Sequence, residues 1–247
     1  MPDAPYQLAP GVHRLGNALV NCHLIEDGNR MTLVDGGFPG FRAQLDSYLR
    51  SRGSSISAID AVILTHAHSD HVGMAESVRR DAGAPVYVHE ADAEMARTAK
   101  QHKREGSMLP YLRRPAPYRL LLSGARNGGA KPTKIGAVTT FADGDLDVPG
   151  RPRVVPTPGH SPGHVAFHLP DRGVLIAGDA LCTYNVLTGA RGPQLLPSAF
   201  AFSNEGMLAS LDALERVDAG LTVFGHGEPW TDGPAAAVAR AREIGLT

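Results

Sequence analysis

Residues 65–71 read Thr-His-Ala-His-Ser-Asp-His, directly after the apolar run Ala-Val-Ile-Leu at 61–64. In an extended segment leaving a strand, His66 and His68 project to the same side, and a turn into a following helix can return Asp70 and His71 toward them. Imidazole nitrogens together with a carboxylate oxygen suit zinc, iron or manganese. One histidine in a chain that holds 11 is ordinary. Three with an aspartate at a strand's end need partners if they are buried, and a metal ion supplies one.

One loop cannot surround two metal ions, so further ligands are expected from other strand ends. Three segments fit: Thr157-Pro158-Gly159-His160-Ser161-Pro162-Gly163-His164 follows an apolar run at 153–155, Ala177-Gly178-Asp179 closes one at 174–177, and Phe224-Gly225-His226-Gly227 closes one at 221–224. In each, a glycine directly precedes the polar residue, which lets the backbone turn sharply and approach a site closely.

These motifs need a scaffold. Short apolar, β-branched runs at 18–25, 31–34, 61–64, 86–88, 153–155, 165–169, 174–177 and 221–224 predict strands, and the patterns at 41–52, 75–81, 91–100, 204–217 and 234–244 predict helices. Their interspersion over 1–247 reads as a single α/β domain. The stretch 100–134 breaks the rhythm with prolines at 110, 115, 117 and 132 and the soft run Gly-Ala-Arg-Asn-Gly-Gly at 124–129, as expected of an insertion or lid. It holds nine Lys or Arg against one acid, Glu105, which marks it either as a solvated basic surface or as a patch that recruits an anionic substrate.

Bulk composition sets limits. With 43% hydrophobic and 20% charged residues among 247, the chain can bury a sizeable core and lacks the charge bias of disorder. A net charge of -1 argues against a nucleic-acid partner. No apolar stretch is long enough to cross a membrane and no signal-like start is evident, so a cytoplasmic protein without a membrane partner is expected. Cys22 and Cys182 are too few for a disulfide framework or a cysteine metal cluster and read as small apolar residues.

The order HxHxDH, PGHSPGH, GD and GH resembles the metallo-β-lactamase-fold superfamily, and the PGHSPGH form is most similar to its glyoxalase II-like hydrolases. Leu33-Val34-Asp35-Gly36-Gly37 also resembles the superfamily's strand-to-loop element ahead of the metal motif. The resemblance implies a four-layer αββα sandwich with the metals at one edge. It implies a first metal site of His66, His68 and His160, a second of Asp70, His71 and His226, and Asp179 bridging the two. β-Lactamases of the superfamily place Cys or Ser where Asp179 stands, so the resemblance disfavours antibiotic hydrolysis. It points instead to thioester, ester, lactone and phosphodiester hydrolases. A glyoxalase II proper carries an additional C-terminal helical region, whereas about 20 residues follow His226 here.

Two metal ions about 3.5–4 Å apart can share a water, bring its pKa near neutrality and present hydroxide as nucleophile, with Asp70 holding a metal and orienting that hydroxide. The expected cofactors are therefore two divalent ions, zinc or else iron or manganese. The expected reaction is hydrolysis of a thioester, ester or lactone in an anionic small molecule. Asp35 is expected to orient a ligand histidine, His164 to support the site from behind, and Tyr184 and Asn185 to contact substrate or simply to pack. Two alternatives remain open at this point: a mononuclear iron oxidoreductase of the persulfide dioxygenase type, and a phosphodiesterase or nuclease of the same fold.

Overall fold

The apolar runs become strands where both of their faces find cover, and the structure, a computed structural model that describes residues 6–247, arranges them in two main sheets. The first sheet contains β1 (Tyr6–Ala9), β2 (Val12–Gly16), β3 (Asn21–Asp27), β4 (Arg30–Val34), β5 (Ile59–Ile63), β6 (Val86–His89) and β7 (Thr139–Phe141), in spatial order as in sequence. β1 to β4 pair antiparallel and β4 to β7 parallel. The parallel half needs crossovers, supplied by α1 (Arg42–Ser51), α2 (Ala75–Ala82), and then α3 (Ala93–Thr98) with α4 (Pro115–Arg126). The rest of the chain forms β8 (Arg153–Pro156), β9 (Val165–Leu169), β10 (Val174–Ile176), the ribbon β11 (Cys182–Tyr184) and β12 (Arg191–Gln194), α5 (Asn204–Glu215), β13 (Leu221–Val223) and α6 (Gly233–Ile244). The second sheet has the order β13-β10-β9-β8.

Neighbouring residues on one strand point to opposite faces, and this period of two builds the layers. Ile25, Val34 and Ile63 join Phe167, Ile176 and Val223 in one apolar cluster between the sheets. Their neighbours Leu24, Leu33 and Val62 face outward and pack with Leu45 and Leu49 of α1 and Val78 of α2. On the other side, Ala166 and Leu175 pack with Leu211 and Leu214 of α5 and Val238 of α6. The result is the four-layer αββα sandwich that the resemblance implied. Phe167 is completely buried in the middle layer, so truncating it to Ala would cost about 3–5 kcal/mol.

Three differences from the sequence reading have physical causes. β2 was not expected as a strand because Val-His-Arg-Leu-Gly does not alternate. It is nevertheless fully buried, with His13 Nε2 3.3 Å from Glu26 and Arg14 donating to Glu228 at 2.8 Å. The predicted helix at 91–100 splits into a 3₁₀ turn, Glu90–Asp92, and the shorter α3. The stretch 100–134, read as irregular from its prolines, contains the 12-residue α4. Pro115 is its first residue and Pro117 lies in its first turn, where backbone N–H groups have no partner within the helix in any case.

Candidate metal centre

The C-terminal ends of five strands deliver the polar residues singled out above. Asp35 follows β4, the motif at 66–71 follows β5, His160 follows β8, Asp179 follows β10 and His226 follows β13. Two glycines make this convergence possible. Gly178 has φ +54°, and a Cβ on it would sit 2.8 Å from the Thr65 side chain and 2.9 Å from His164 Nε2. A Cβ on Gly225 would run into the Asp179 carboxylate and come within 2.6 Å of the His71 ring. Gly178 and Gly225 are thus fixed by crowding at the site itself, whereas Gly159, ahead of His160, is fixed by the backbone of α5 at Gly206 and Met207.

The seven residues of the sequence expectation come together. Possible donor atoms of His66, His68 and His160 lie within 4.8 Å of one another, as do those of Asp70, His71 and His226, and those of His66, His71 and Asp179. Asp179 is common ground: its Oδ2 is 3.3 Å from His160 Nε2 and 3.1 Å from His226 Nε2, and its Oδ1 is 3.5 Å from His71 Nε2. His68 Nδ1 lies 2.8 Å from His160 Nε2, and Asp70 Oδ2 lies 3.7 Å from His226 Nε2. His66 Nε2, His71 Nε2 and Asp179 Oδ1 are buried without any hydrogen-bond partner. Buried polar atoms left in this state are costly, and a cation placed among them satisfies all three. The donor set therefore fits a metal.

Groups behind the ligands set the tautomers. Asp35 Oδ1 accepts the Thr65 N–H at 2.8 Å, and its Oδ2 accepts the Thr65 hydroxyl at 2.8 Å and His71 Nδ1–H at 3.0 Å. Since the Thr65 hydroxyl donates to Asp35, its oxygen accepts from His66 Nδ1–H at 3.0 Å. His226 Nδ1–H donates to the Leu19 carbonyl. In His66, His71 and His226 the proton is thereby held on Nδ1, leaving the Nε2 lone pair facing the site, as a metal requires. Asp35 fixes two of these rings, one directly and one through Thr65. Its own backbone is in the left-handed region at φ +61°.

Charge in the cluster is divided. Burial holds His66 and His160 well below the ordinary histidine value and His68 down to about 4, with neighbouring imidazoles adding to the effect on His66 and His160. These three rings are neutral and can donate lone pairs. Burial disfavours charge on Asp179, yet the imidazoles of His226 and His71 outweigh it and hold the carboxyl well below the usual range. His71 is correspondingly raised, burial being outweighed by Asp179 and Asp35. Without a cation, protons on His71 and His226 balance the Asp179 carboxylate; metal binding would displace them.

His164 stands behind Asp179. Its Nε2 accepts the backbone N–H of Asp179 at 2.9 Å, which places its proton on Nδ1, 2.8 Å from Thr157 Oγ1. Two positioning residues escaped the sequence reading. Asp92, completely buried, accepts from Ala67 N–H at 3.2 Å, Ser161 O–H at 2.6 Å and Gly163 N–H at 2.8 Å, and so latches the 66–71 loop to the 157–164 loop. Asn21 donates to the carbonyls of Phe224 and Gly227 at 3.0 and 2.8 Å and brackets His226. Nothing local in the sequence marks either, because their partners lie far along the chain. Tyr184 and Asn185, expected either to contact substrate or simply to pack, are both held in local packing. Asn185 Oδ1 accepts from the Leu187 and Thr188 N–H groups and its amide donates to Gln194, so it shapes its own turn. Tyr184 is buried under Arg191 and lines a different cavity, beside Trp230.

A cavity of about 310 Å³ opens over His68, Asp70, His160, Asp179 and His226. Its opposite wall belongs to the 100–134 stretch: Met108 together with Pro117, Leu120 and Leu121 of α4. Of the nine cations in that stretch, only Arg104 reaches the lining, where its guanidinium stands 5.4 Å from the Phe200 ring centroid.

Comparison with known proteins agrees with this geometry. The family model of the metallo-beta-lactamase superfamily matches residues 15–226. A "probable metallo-hydrolase", YflN of Bacillus subtilis, is 25% identical over 92% of this chain and 88% of its own length. A hydroxyacylglutathione hydrolase of Cupriavidus metallidurans is 30% identical over 81% of this chain, but the match covers only 59% of that longer protein. Among solved structures, a metallo-beta-lactamase family protein from Thermus thermophilus superposes with a TM-score of 0.66 at 29% identity, covering 95% of this chain and 79% of that one.

Proposed function

The chain belongs to the metallo-beta-lactamase superfamily of metal-dependent hydrolases, and from that premise we propose that it uses two divalent ions, zinc in the first instance, to hydrolyse a thioester, ester or lactone. His66, His68 and His160 would hold one ion, Asp70, His71 and His226 the other, and Asp179 both. The observation that carries this reading is the position of Asp179: one carboxylate lies beside His160 and His226 through Oδ2 and beside His71 through Oδ1, so members of both trios share it. Bound there, the ions would supply Lewis-acid polarisation of a carbonyl and a water of lowered pKa.

The chain's own residues do the rest. Asp35, Thr65 and the Leu19 carbonyl keep three imidazoles in the donor tautomer. Asp70, at the cavity floor, is placed to accept a proton from an attacking water and to orient it. No side-chain nucleophile is needed. Cys182 is completely buried, and burial together with the nearby Asp179 pushes its thiol well above the ordinary value, so it stays protonated and inert. Arg104 supplies the one cation of the cavity rim and supports a small anionic substrate. The hydroxyacylglutathione hydrolases among the relatives act on a thioester by name, which favours acyl transfer to water over phosphodiester cleavage.

The test is a panel of thioesters, esters, lactones and phosphodiesters offered to zinc-, iron- and manganese-loaded protein. Hydrolysis of a carboxylic acid derivative that chelation abolishes and metal restores is the expected result. Phosphodiester cleavage alone, or oxygen uptake by an iron-loaded form, would overturn the assignment.

A further inference from the structure

The wall that faces the metal-site residues is largely apolar, with Gln101 and Arg104 its polar members, although it is built from a stretch rich in cations. Of the nine Lys and Arg in 100–134, eight stay outside the cavity lining. The larger side chains that 100–134 gives the lining are Met108, Leu120 and Leu121 beside the polar Gln101 and Arg104, and Phe38, Phe200 and Leu187 join them from elsewhere in the chain. Leu121 is in an unusual position: it lines the cavity and is still 69% exposed, so a leucine at the mouth keeps most of its surface in water. α4 rests on the body of the protein through the face of the buried Ala116, Ser123 and Gly124, and Leu120, one turn on from Ala116, is partly buried on that same face against the apolar clusters. Ser123 accepts from the Asn17 amide at 2.9 Å, and Gly124 lies close against the Phe38 ring. The helix is thus held in place on that side, where Leu120 and Gly124 also reach the cavity, and it carries Leu121 out to the mouth.

We propose that this wall receives the apolar acyl group of the substrate, so that the chain hydrolyses acyl compounds whose acid part is an extended hydrocarbon rather than a short hydroxylated one. The inference rests on the hydrolase reading above and adds the substrate's acid part to it. Small-molecule sites fix orientation with a few polar groups and draw affinity from apolar walls. Here the polar groups are gathered at the metal-site end and the apolar ones along α4. A scissile carbonyl held over His68, Asp70 and His160 would direct an attached alkyl chain along Leu120 and Leu121 toward the mouth. Covering Leu121 would remove from water apolar surface that the free protein leaves wet.

The experiment measures binding as well as turnover. Straight-chain alkanoates from butanoate to octanoate, the acids such a reaction would release, are titrated calorimetrically into metal-loaded protein. Affinity is expected to rise about two- to fourfold per added methylene. In Leu121→Asp, and separately in Leu120→Ser, that gradient should flatten while metal content stays unchanged. Equal affinities for butanoate and octanoate overturn the inference. So does a gradient that both variants leave intact, since the chain would then lie elsewhere, and so does the absence of binding. Failure of this inference and failure of the hydrolase reading separate cleanly. Hydrolysis of short and long esters at one rate sinks the acyl wall and spares the hydrolase. A chain-length gradient in binding without hydrolysis of any panel member does the reverse.

Discussion

Two regions meet at the cavity and are built on opposite principles. At the strand ends, most of the polar side chains are buried and several have a support of their own: Asp35 behind His66 and His71, His164 behind the Asp179 backbone, Asp92 between two loops, and Asn21 around His226. Across the cavity, α4 presents Leu121 at 69% exposure beside the partly buried Leu120. Metal chemistry demands positions fixed to a fraction of an ångström, and networks of buried hydrogen bonds supply them. An apolar wall demands only surface of roughly the right shape, so its sequence is free to be basic, proline-rich and irregular. On the proposal made above, reactivity would reside in the first region and substrate preference in the second.

The sharpest way to break that division is at its shared carboxylate. Asp179→Ala should lower kcat/KM on any panel substrate by on the order of a thousandfold or more, since several kcal/mol of charge stabilisation depend on the ions it holds. Retained activity would show that Asp179 is dispensable and the two-ion arrangement wrong.

Next in size is the residue behind the ligands. Asn at position 35 tolerates the left-handed backbone but turns an NH₂ toward donors that now meet oxygen. Asp35→Asn should therefore weaken metal affinity about 10- to 100-fold, read by competition with a chromophoric chelator. An unchanged affinity would mean that the tautomers are fixed by other groups.

Asp92 tests whether the latch is structural. Asp92→Asn keeps the shape but gives up charge-assisted hydrogen bonds from Ala67, Ser161 and Gly163, at a cost of about 1–3 kcal/mol by denaturant unfolding of the metal-free protein. An effect confined to the metal-loaded form would relocate its role to the ions themselves.

The smallest effect belongs to the other region. Arg104→Gln should lower kcat/KM for an anionic substrate a few-fold at low salt and less at high salt, because the Debye length falls from about 10 Å at 0.1 M to about 3 Å at 1 M. Metal content should not move. Arg113 and Arg114, outside the cavity lining, should matter less than Arg104; a larger loss on neutralising that pair would return the steering to the stretch as a whole.

The same division explains what could be read from sequence. The seven donors were legible because each stands just after an apolar run, three of them behind a glycine, so strand period and turn chemistry point to them without a structure. Asp35 and His164 were legible from their place beside those motifs. Asp92 was not: it lies in a segment that reads as helix, and its three donors come from loops brought near only by the folded sheets. β2 was hidden because His13 and Arg14 break its pattern, and they are tolerated only through partners as distant as Glu228. α4 was hidden by its prolines, whose cost vanishes in a first turn. Tyr184 and Asn185 stand near Asp179 in sequence, but the chain turns away into its ribbon at once.

The central claim is that these strand ends form one centre with two metal sites sharing Asp179. Elemental analysis by mass spectrometry, on wild-type protein that has been stripped, reloaded and dialysed, tests it most directly. The account predicts close to two transition-metal ions per chain, falling in Asp179→Ala while the fold, followed by circular dichroism, persists. Wild-type protein that retains no zinc, iron or manganese after reloading, or an Asp179→Ala variant that keeps the full complement, would contradict it.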